Sequence, residues 1–431
     1  MRRAPLLRRI MHGIAHGRAV PSSLQLRSGD QKTLLHTFSK IKLPKLSRMP
    51  ELDALRGLFL VWMALTHLPT RFSELVNQPF GFVSSAEGFV FLSALLVARL
   101  YIRQAMVDGQ GLRVKLWRRA LKIYGYHVIL LALAFTVAAR LAVVTHRTAL
   151  LNLLDFYFAH PAVAVLGSLL LIYCPPLLDI LPLYVIFLAA TPLLLSAALR
   201  YGWSRVITGS LIIWALAQFG LRSFINSSLV HLTHLPIPLQ EAGAFNLFSW
   251  QWVWIAGLWI GAKSAEGPLP LRRIPGWVTA LCAVICAFFI GVRHGWLGPH
   301  LTVQVLGMYL DKWNIGALRM VNLLALAVVF YWLRKPVLRL VAVEPFLTLG
   351  KASLEVFFAH IIFVFIGLAL LYGEVTELEG YPAALLVTVT LSGMTLVAVR
   401  EVRRQKEKLH AKPKAPQNMP PPAASIKQFA E

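Results

Sequence analysis

The sequence has little charge, and very little of it is negative. Charged residues make up 14% of the 431 positions, and 43 Lys and Arg outnumber 19 Asp and Glu. Soluble domains average about 25% charged and about 45–50% apolar residues, whereas this chain is 57% hydrophobic. This composition excludes an ordinary soluble domain and predicts a multi-pass membrane protein.

Several common kinds of site are also missing from the sequence. There is no glycine-rich phosphate loop, no G-x-S-x-G nucleophile motif and no set of residues at metal-ligand spacing, so we expect neither a metal nor a bound cofactor. The three cysteines, Cys174, Cys282 and Cys286, make no disulfide or metal framework. We expect them to be packing residues.

The formal charge of +24 would suit a nucleic-acid-binding protein. The Lys and Arg residues, however, lie in the tails and in short loops between apolar runs, as the positive-inside rule describes for membrane proteins. We therefore expect contacts with membrane lipids and none with nucleic acid.

The apolar runs predict an all-α fold of about ten transmembrane helices. The predicted segments are 52–69, 84–102, 120–144, 180–199, 206–222, 247–262, 276–292, 317–333, 353–371 and 382–399. With ten spans, the basic loops and both termini fall on the cytoplasmic side. The basic loop residues are Arg99, Arg103, Arg113, Lys115, Arg118, Arg119, Lys122, Arg200, Arg205, Lys263, Arg272, Arg273, Arg334, Lys335 and Arg339. One opposite loop carries Glu374, Glu377 and Glu379.

One further apolar run, 162–173, is short and is bracketed by Pro161, Pro175 and Pro176. Counting it as a span would place Arg200 and the C-terminus outside, against the charge pattern. We expect a re-entrant or interfacial element on the outer side.

The two ends differ from the predicted membrane domain, 50–400. Residues 1–49 carry eleven Lys and Arg but one acid, Asp30, with no clean signal-peptide core. They predict a basic cytoplasmic tail on anionic lipid or a disordered start. Residues 401–431, with five prolines and mixed charge, predict a disordered cytoplasmic tail.

Ionisable residues inside apolar segments are the strongest functional candidates, because hydrocarbon makes them costly. Arg56 and His67 lie eleven residues apart in the first segment, so they share one helix face about 16 Å apart. Asp53, three residues before Arg56, lies on the same helix face. This spacing places a guanidinium near the cytoplasmic face and an imidazole near the outer one. Arg56 fits an i,i+3 structural pair with Asp53 equally well.

Glu87 lies near the outer end of the second segment, at a depth similar to that of His67. A carboxylate beside an imidazole fixes its tautomer and makes it a better general base. We therefore predict that His67 is a catalytic base and that Glu87 orients it. A structural His–Glu hydrogen bond between two helices would explain the same residues.

The remaining candidates lie at both membrane faces and between them. Arg118, Arg119 and Lys122 open the third segment and fit either a donor-phosphate site or a positive-inside anchor. His360 lies near the middle of the ninth segment and fits either a helix–helix hydrogen bond or an additional catalytic role.

An outer cluster consists of Asp311-Lys312-Trp313-Asn314 and Arg319. Its mixture of polar and aromatic side chains suits a sugar acceptor, and an interfacial Trp/Lys belt explains it as well.

Several blocks, taken in order, resemble the OpgC family. They are Glu51-Leu52-Asp53-Ala54-Leu55-Arg56-Gly57, the R-x10-H that ends in Thr66-His67-Leu68-Pro69, Phe80-Gly81-Phe82-Val83-Ser84-Ser85-Ala86-Glu87-Gly88-Phe89-Val90-Phe91-Leu92-Ser93, Leu178-Asp179-Ile180-Leu181-Pro182-Leu183-Tyr184, Phe245-Asn246 with Trp250-Gln251, Gly257-Leu258-Trp259-Ile260-Gly261 and Asp311-Lys312-Trp313-Asn314. The resemblance covers residues 47 to 400.

This resemblance implies an inner-membrane acyltransferase that adds succinyl groups to osmoregulated periplasmic glucans. The family is similar to the superfamily of ten-helix membrane acyltransferases that share R-x10-H, in which the Arg and His are thought to serve transfer from cytoplasmic acyl-CoA. These positions match Arg56 and His67, and the superfamily's basic R-x-x-R signature is present as Arg119-Ala120-Leu121-Lys122.

The sequence thus predicts acyl-CoA, with succinyl as the acyl group, as co-substrate and a periplasmic glucan as acceptor. A transporter or flippase for a sugar or acyl group would explain the same buried charges. Inverted repeats or paired broken helices would favour it, and the sequence has neither. A purely structural membrane subunit would not need these residues.

Overall fold

The computed structural model describes residues 49–267, 274–298, 303–373 and 375–411. Within these ranges the chain is helical and has no β-strand, apart from one isolated bridge between Thr70 and Leu378. The helices are α1 (Pro50–His67), α2 (Phe72–Val76), α3 (Ser85–Val107), α4 (Gly109–Leu133), α5 (Ala139–Thr145), α6 (Thr148–Leu153), α7 (Asp155–Ala159), α8 (Pro161–Leu169), α9 (Ile180–Tyr201), α10 (Trp203–Gln218), α11 (Leu221–Thr233), α12 (Leu247–Glu266), α13 (Gly276–Arg293), α14 (Val303–Leu310), α15 (Ala317–Val341), α16 (Phe346–Lys351), α17 (Ser353–Leu370) and α18 (Gly380–His410). A π-helical turn, Ala134–Ala138, joins α4 to α5.

Every one of the predicted apolar segments coincides with a helix. Within the described ranges, seven helical stretches are long and apolar enough to cross a membrane, counting α4 to α5 as one, and α10 with α11 forms a further pair bent by 79°. The all-α, multi-pass membrane fold is therefore confirmed. The count of ten stays a prediction, because α1 and α12 fall outside that group of seven. The cytoplasmic location of both termini also stays a prediction.

The short apolar run before α9 forms α8, which has nine residues. A nine-residue helix is about 14 Å long, less than half the thickness of a hydrocarbon core. The phenol of Tyr124 on α4 donates to the carbonyl of Leu169 at 2.8 Å and ties the end of α8 to the bundle. This length fits the predicted re-entrant or interfacial element.

The last helix, α18, extends further than the sequence predicts. It continues through His410, and Glu401 pairs with Arg404 at 3.1 Å and accepts from Gln405. Residues 401–410 are therefore helical, because i,i+3 and i,i+4 contacts support the basic turns, and the disordered tail was predicted to start too early. Residues 1–48 and 412–431, with Arg272, Arg273 and Glu374, lie outside the described residues.

Glycines let the central helices approach closely. Cβ atoms at Gly257 and Gly261 of α12 would collide with the carbonyls of Phe91 and Leu95 on α3. Small residues at helix contacts are typical of membrane proteins, where close backbone packing replaces the hydrophobic effect. All three cysteines are free, and Cys174 and Cys286 are buried while Cys282 is partly buried, as expected of packing residues.

We expect Gly261→Ala to destabilise the bundle, because the backbone carbonyl of Leu95 cannot move aside for the added methyl group. The cost should be about 1–3 kcal/mol, as for other overpacked sites. Gly209→Ala in α10 is the matched control, because open space surrounds Gly209 and alanine favours a helix. Thermal unfolding in detergent compares the two, and an unfolding temperature for Gly261→Ala at or above that of the control would contradict this packing.

Candidate functional site

The candidate site lies along α1 and α17, which face each other through polar side chains at two depths. On α1 these are Arg56 and His67, about 16 Å apart along the axis. On α17, Ser353 and His360 are seven residues apart and lie on one face. We call the end at His67 the outer end, following the predicted orientation.

At the outer end, His67 contacts His360. Nδ1 of His67 lies 3.1 Å from Nε2 of His360, and the rings stack with centroids 5.4 Å apart. His360 is fully buried, whereas His67, the last residue of α1, keeps some exposure. The sequence predicts both histidines as candidates but not their contact.

The hydrogen bonds fix the tautomers of both rings. Nδ1 of His360 lies 2.8 Å from the carbonyl oxygen of Phe357, which can only accept, so this nitrogen carries the proton. Nε2 of His360 is then an acceptor, and Nδ1 of His67 must donate to it. The remaining nitrogen of His67, Nε2, therefore keeps its lone pair and can accept a proton.

The predicted orienting role of Glu87 is wrong. Glu87 is fully buried and accepts from Nε of Arg319 at 2.7 Å, with a second bond from the same guanidinium. Its other oxygen accepts from the backbone N–H of Ser84 at 3.0 Å and from the Ser84 hydroxyl. Ser84 and Glu87 together form a capping box at the start of α3.

Two signals in the sequence point to this outcome. Ser84-Ser85-Ala86-Glu87 has the S-x-x-E spacing of a capping box. A carboxylate in hydrocarbon also needs a cation, and Arg319, 1% exposed on α15, supplies it. His360 takes the position beside His67 that the sequence assigns to Glu87.

At the inner end, Arg56 donates to the hydroxyl of Ser353, and its guanidinium lies 6.0 Å from the ring centroid of Phe89. Asp53, one turn earlier, is buried. A glycine allows α1 to lie this close to the chain before α17, because a side chain at Gly57 would collide with the carbonyl of Phe346, at the start of α16.

Arg56 faces an open cavity whose empty space, counted together with the solvent at its mouth, is about 580 Å³. Its lining is mainly apolar. It consists of Arg56, Phe89, Ser93, Val97, Arg119, Ile123, Ile180, Leu181, Tyr184, Leu188, Trp254, Ser353, Leu354 and Phe357. The backbone carbonyl of Phe357 also accepts the hydrogen bond from Nδ1 of His360, so the cavity reaches the turn of α17 that contacts the histidine pair.

The structure divides the predicted basic cluster at the start of the third segment. Arg119 lines the cavity with Arg56. Lys122 instead pairs with Glu355 at 2.8 Å, and Arg118 is exposed. Of the three predicted donor residues in this cluster, the structure therefore brings only Arg119 into the cavity beside Arg56.

The outer loop that precedes α15 is held by its own polar groups. Asp311 accepts from the backbone N–H of Trp313 at 2.9 Å and from the amide of Asn314. Asn246 donates to Asn314 at 2.8 Å, and the indole N–H of Trp250 donates to the carbonyl of Trp313 at 3.1 Å. Asp311 and Asn314 thus hold the loop together, because a tight loop must satisfy its backbone, and their acceptor role stays a prediction.

Two other members of this loop remain available for binding. The Trp313 side chain is 40% exposed, and Phe245 packs edge-on against it at 5.3 Å. Lys312 lies over the Trp313 ring at 4.7 Å, and burial lowers its pKa, although Glu87 and Asp179 act to raise it.

Asp179 stands in one of the blocks that resemble the OpgC family, but the sequence assigns it no role. The structure brings it to the outer end of the site. Asp179 precedes α9, is nearly fully buried and accepts from the N–H of Ala244 at 3.0 Å. Burial raises the pKa of this carboxyl to about 6. The signal available in the sequence is an acid directly before a strongly apolar segment, in Leu178-Asp179-Ile180.

The comparisons with known proteins give one match. The family model described as OpgC protein matches residues 48–407, which is most of the chain. No curated protein matches the chain. No solved structure matches it either.

The buried pair of Glu87 and Arg319 makes a prediction about stability. Glu87→Leu or Arg319→Met alone should cost about 3–5 kcal/mol, because each leaves a buried charge without its partner. The double variant Glu87→Leu/Arg319→Met should recover most of this loss, apart from about 1 kcal/mol for the missing cap. Thermal unfolding of the four proteins in detergent measures the coupling, and losses that simply add would contradict the pairing.

Proposed function

The chain belongs to the OpgC family, and from this premise and the geometry of the site we propose that it is a membrane acyltransferase. It moves an acyl group, succinyl, from cytoplasmic acyl-CoA to a hydroxyl of a periplasmic glucan, in the inner membrane of a bacterium. Acyl-CoA is its co-substrate, and the proposed chemistry uses the chain's own side chains.

The observation that carries this proposal is the chain of hydrogen bonds from Phe357 through His360 to His67. It leaves Nε2 of His67 with a lone pair at the outer end, where a glucan hydroxyl would arrive. A histidine whose other nitrogen is held in a fixed hydrogen bond is the usual form of a general base. Here a neutral imidazole supported by a carbonyl replaces the customary carboxylate.

In the proposed reaction the glucan hydroxyl oxygen attacks the thioester carbonyl carbon while Nε2 of His67 takes the hydroxyl proton. The tetrahedral intermediate then collapses, the carbon–sulfur bond breaks, and the sulfur receives the proton from His67. The products are a glucan ester and free CoA thiol, and His67 returns to its neutral tautomer. No oxidant, reductant or further reactant is required.

The donor is proposed to enter at Arg56. Arg56 and Arg119 line one cavity. A guanidinium group can donate two parallel hydrogen bonds to the oxygens of one phosphate. The rest of the lining is mainly apolar, which suits the arm of a thioester, and the cavity continues to Phe357. The acyl end would thus approach His67 from the inner side of the histidine pair.

The acceptor is proposed to lie at the outer loop. The partly exposed indole of Trp313 offers an aromatic face on which the apolar side of a sugar can stack. Asp311 and Asn314 hold that indole in place through the loop. They would act on the acceptor indirectly.

A transporter is the second candidate. The bent pair of α10 and α11 favours it, since broken helices form the substrate sites of many transporters. Such sites come from two broken helices in related halves, whereas the described ranges contain a single bent pair. Consumption of acyl-CoA by purified protein separates the two candidates.

We expect His67→Ala to abolish acyl transfer, because general-base help is typically worth about 10²–10⁴ in rate. His360→Ala should cost less, since it removes the support of the base and leaves the base itself. The double variant should be hardly worse than His67→Ala, because residues that act as a unit have non-additive losses. Glucan acylation from acyl-CoA, followed by mass spectrometry, measures all three.

His231→Ala is the control, because this exposed histidine on α11 lies outside the site. Acyl-CoA binding should persist in His67→Ala and weaken in Arg56→Lys, whose ammonium cannot reproduce a planar fork. A folded His67→Ala protein that acylates glucan at the wild-type rate would refute the role of His67.

A further inference from the structure

Lys312 is a cation at the outer end of the site that the proposed reaction has not used. It lies in the loop between α14 and α15, and it is only partly exposed. Its ammonium lies 4.7 Å from the ring centroid of Trp313, which holds it by a cation–π contact.

No described carboxylate forms an ion pair with Lys312, although three lie around it. Glu87 is bound to Arg319, and Asp311 is bound to the backbone of its own loop. Asp179 accepts from the N–H of Ala244. A partly buried ammonium without an anion of its own is costly, and a bound anion would offset that cost.

The fold places this cation at the same end of the site as the base. The loop that carries Lys312 leads directly into α15, where Arg319 is bonded to Glu87 at the start of α3. α15 also packs against α1, which ends at His67. An anionic group held by Lys312 would therefore lie close to the atoms that react at His67.

We propose that Lys312 binds the free carboxylate of a dicarboxylic acyl group and so selects acyl-CoA donors whose acyl chain ends in a charge. This inference rests on the proposed acyltransferase function. The carboxylate does not react, since the ester forms and the carbon–sulfur bond breaks at the other end of the acyl chain. Lys312 holds that chain with its thioester towards His67.

The neighbouring cations are already committed to other groups, which leaves Lys312 for this task. Arg319 is bound to Glu87, and Arg222 donates to the carbonyls of Gly243 and Ala244. Lys312 also sits at the outer end, away from the guanidinium of Arg56. A donor that spans the site would thus meet a cation at each end, one for phosphate and one for the acyl carboxylate.

The test measures kcat/KM for transfer to a glucan oligosaccharide from succinyl-CoA and from butyryl-CoA, which has the same chain length without the charge. In Lys312→Met the preference for succinyl-CoA should fall roughly 10- to 100-fold, the usual value of one charge-assisted hydrogen bond. Most of this change should lie in KM. Lys312→Arg should restore much of the preference, because it restores the charge.

Lys263→Met is the matched control, because Lys263 pairs with Glu266 on the surface of α12 and should leave the preference unchanged. An equal loss with both donors in Lys312→Met would overturn the inference, since a role with the reacting oxygen or with the glucan does not distinguish the donors. If Lys312→Met does not fold, the preference of Lys312→Arg and Lys312→Gln decides instead, and an unchanged preference in Lys312→Gln overturns the inference. Failure of the wild-type protein to transfer either acyl group would instead refute the proposed function.

Discussion

The outer half of the site depends on the buried ion pair between Glu87 and Arg319. Either charge alone would be costly inside the bundle, so the pair forces the start of α3 against the start of α15. The loop that carries Lys312 and Trp313 leads into this contact, and its own polar groups with Asn246 and Trp250 hold it in place. Glu87, which the sequence predicts to be catalytic, is bonded to Arg319 and Ser84, and it holds α3 against α15 without contacting the ring of His67.

The inner half depends on backbone contacts that glycine permits. Gly57 lets α1 reach the carbonyl of Phe346, and Gly350 lies against the carbonyl of Asp53. This approach brings Arg56 to Ser353, the first residue of α17. The same face of α17 then carries Phe357 and His360, so one helix links the proposed donor site to the base.

The sequence predicted the helices and the helix face that Arg56 and His67 share, and it predicted neighbours on other helices poorly. Hydropathy located the membrane helices, and the spacing of Arg56 and His67 gave their shared face, because both depend on a local helical period. The partner of His67 lies 293 positions along the chain, and no local pattern distinguishes His360 from Glu87 at a similar depth. The same limit applied to Lys122, whose partner Glu355 lies on another helix, and to Asn314, whose partner Asn246 lies 68 positions away in the chain.

The proposed reaction depends on transfer across the membrane, from a donor on one face to an acceptor on the other. Purified protein in sealed liposomes tests it most directly, with acyl-CoA added outside, a glucan oligosaccharide trapped inside, and the orientation determined by protease cleavage of the termini. Molecules whose termini face outward should acylate the trapped glucan and release CoA thiol outside. Acylation only when acyl-CoA and glucan share a compartment would contradict the account.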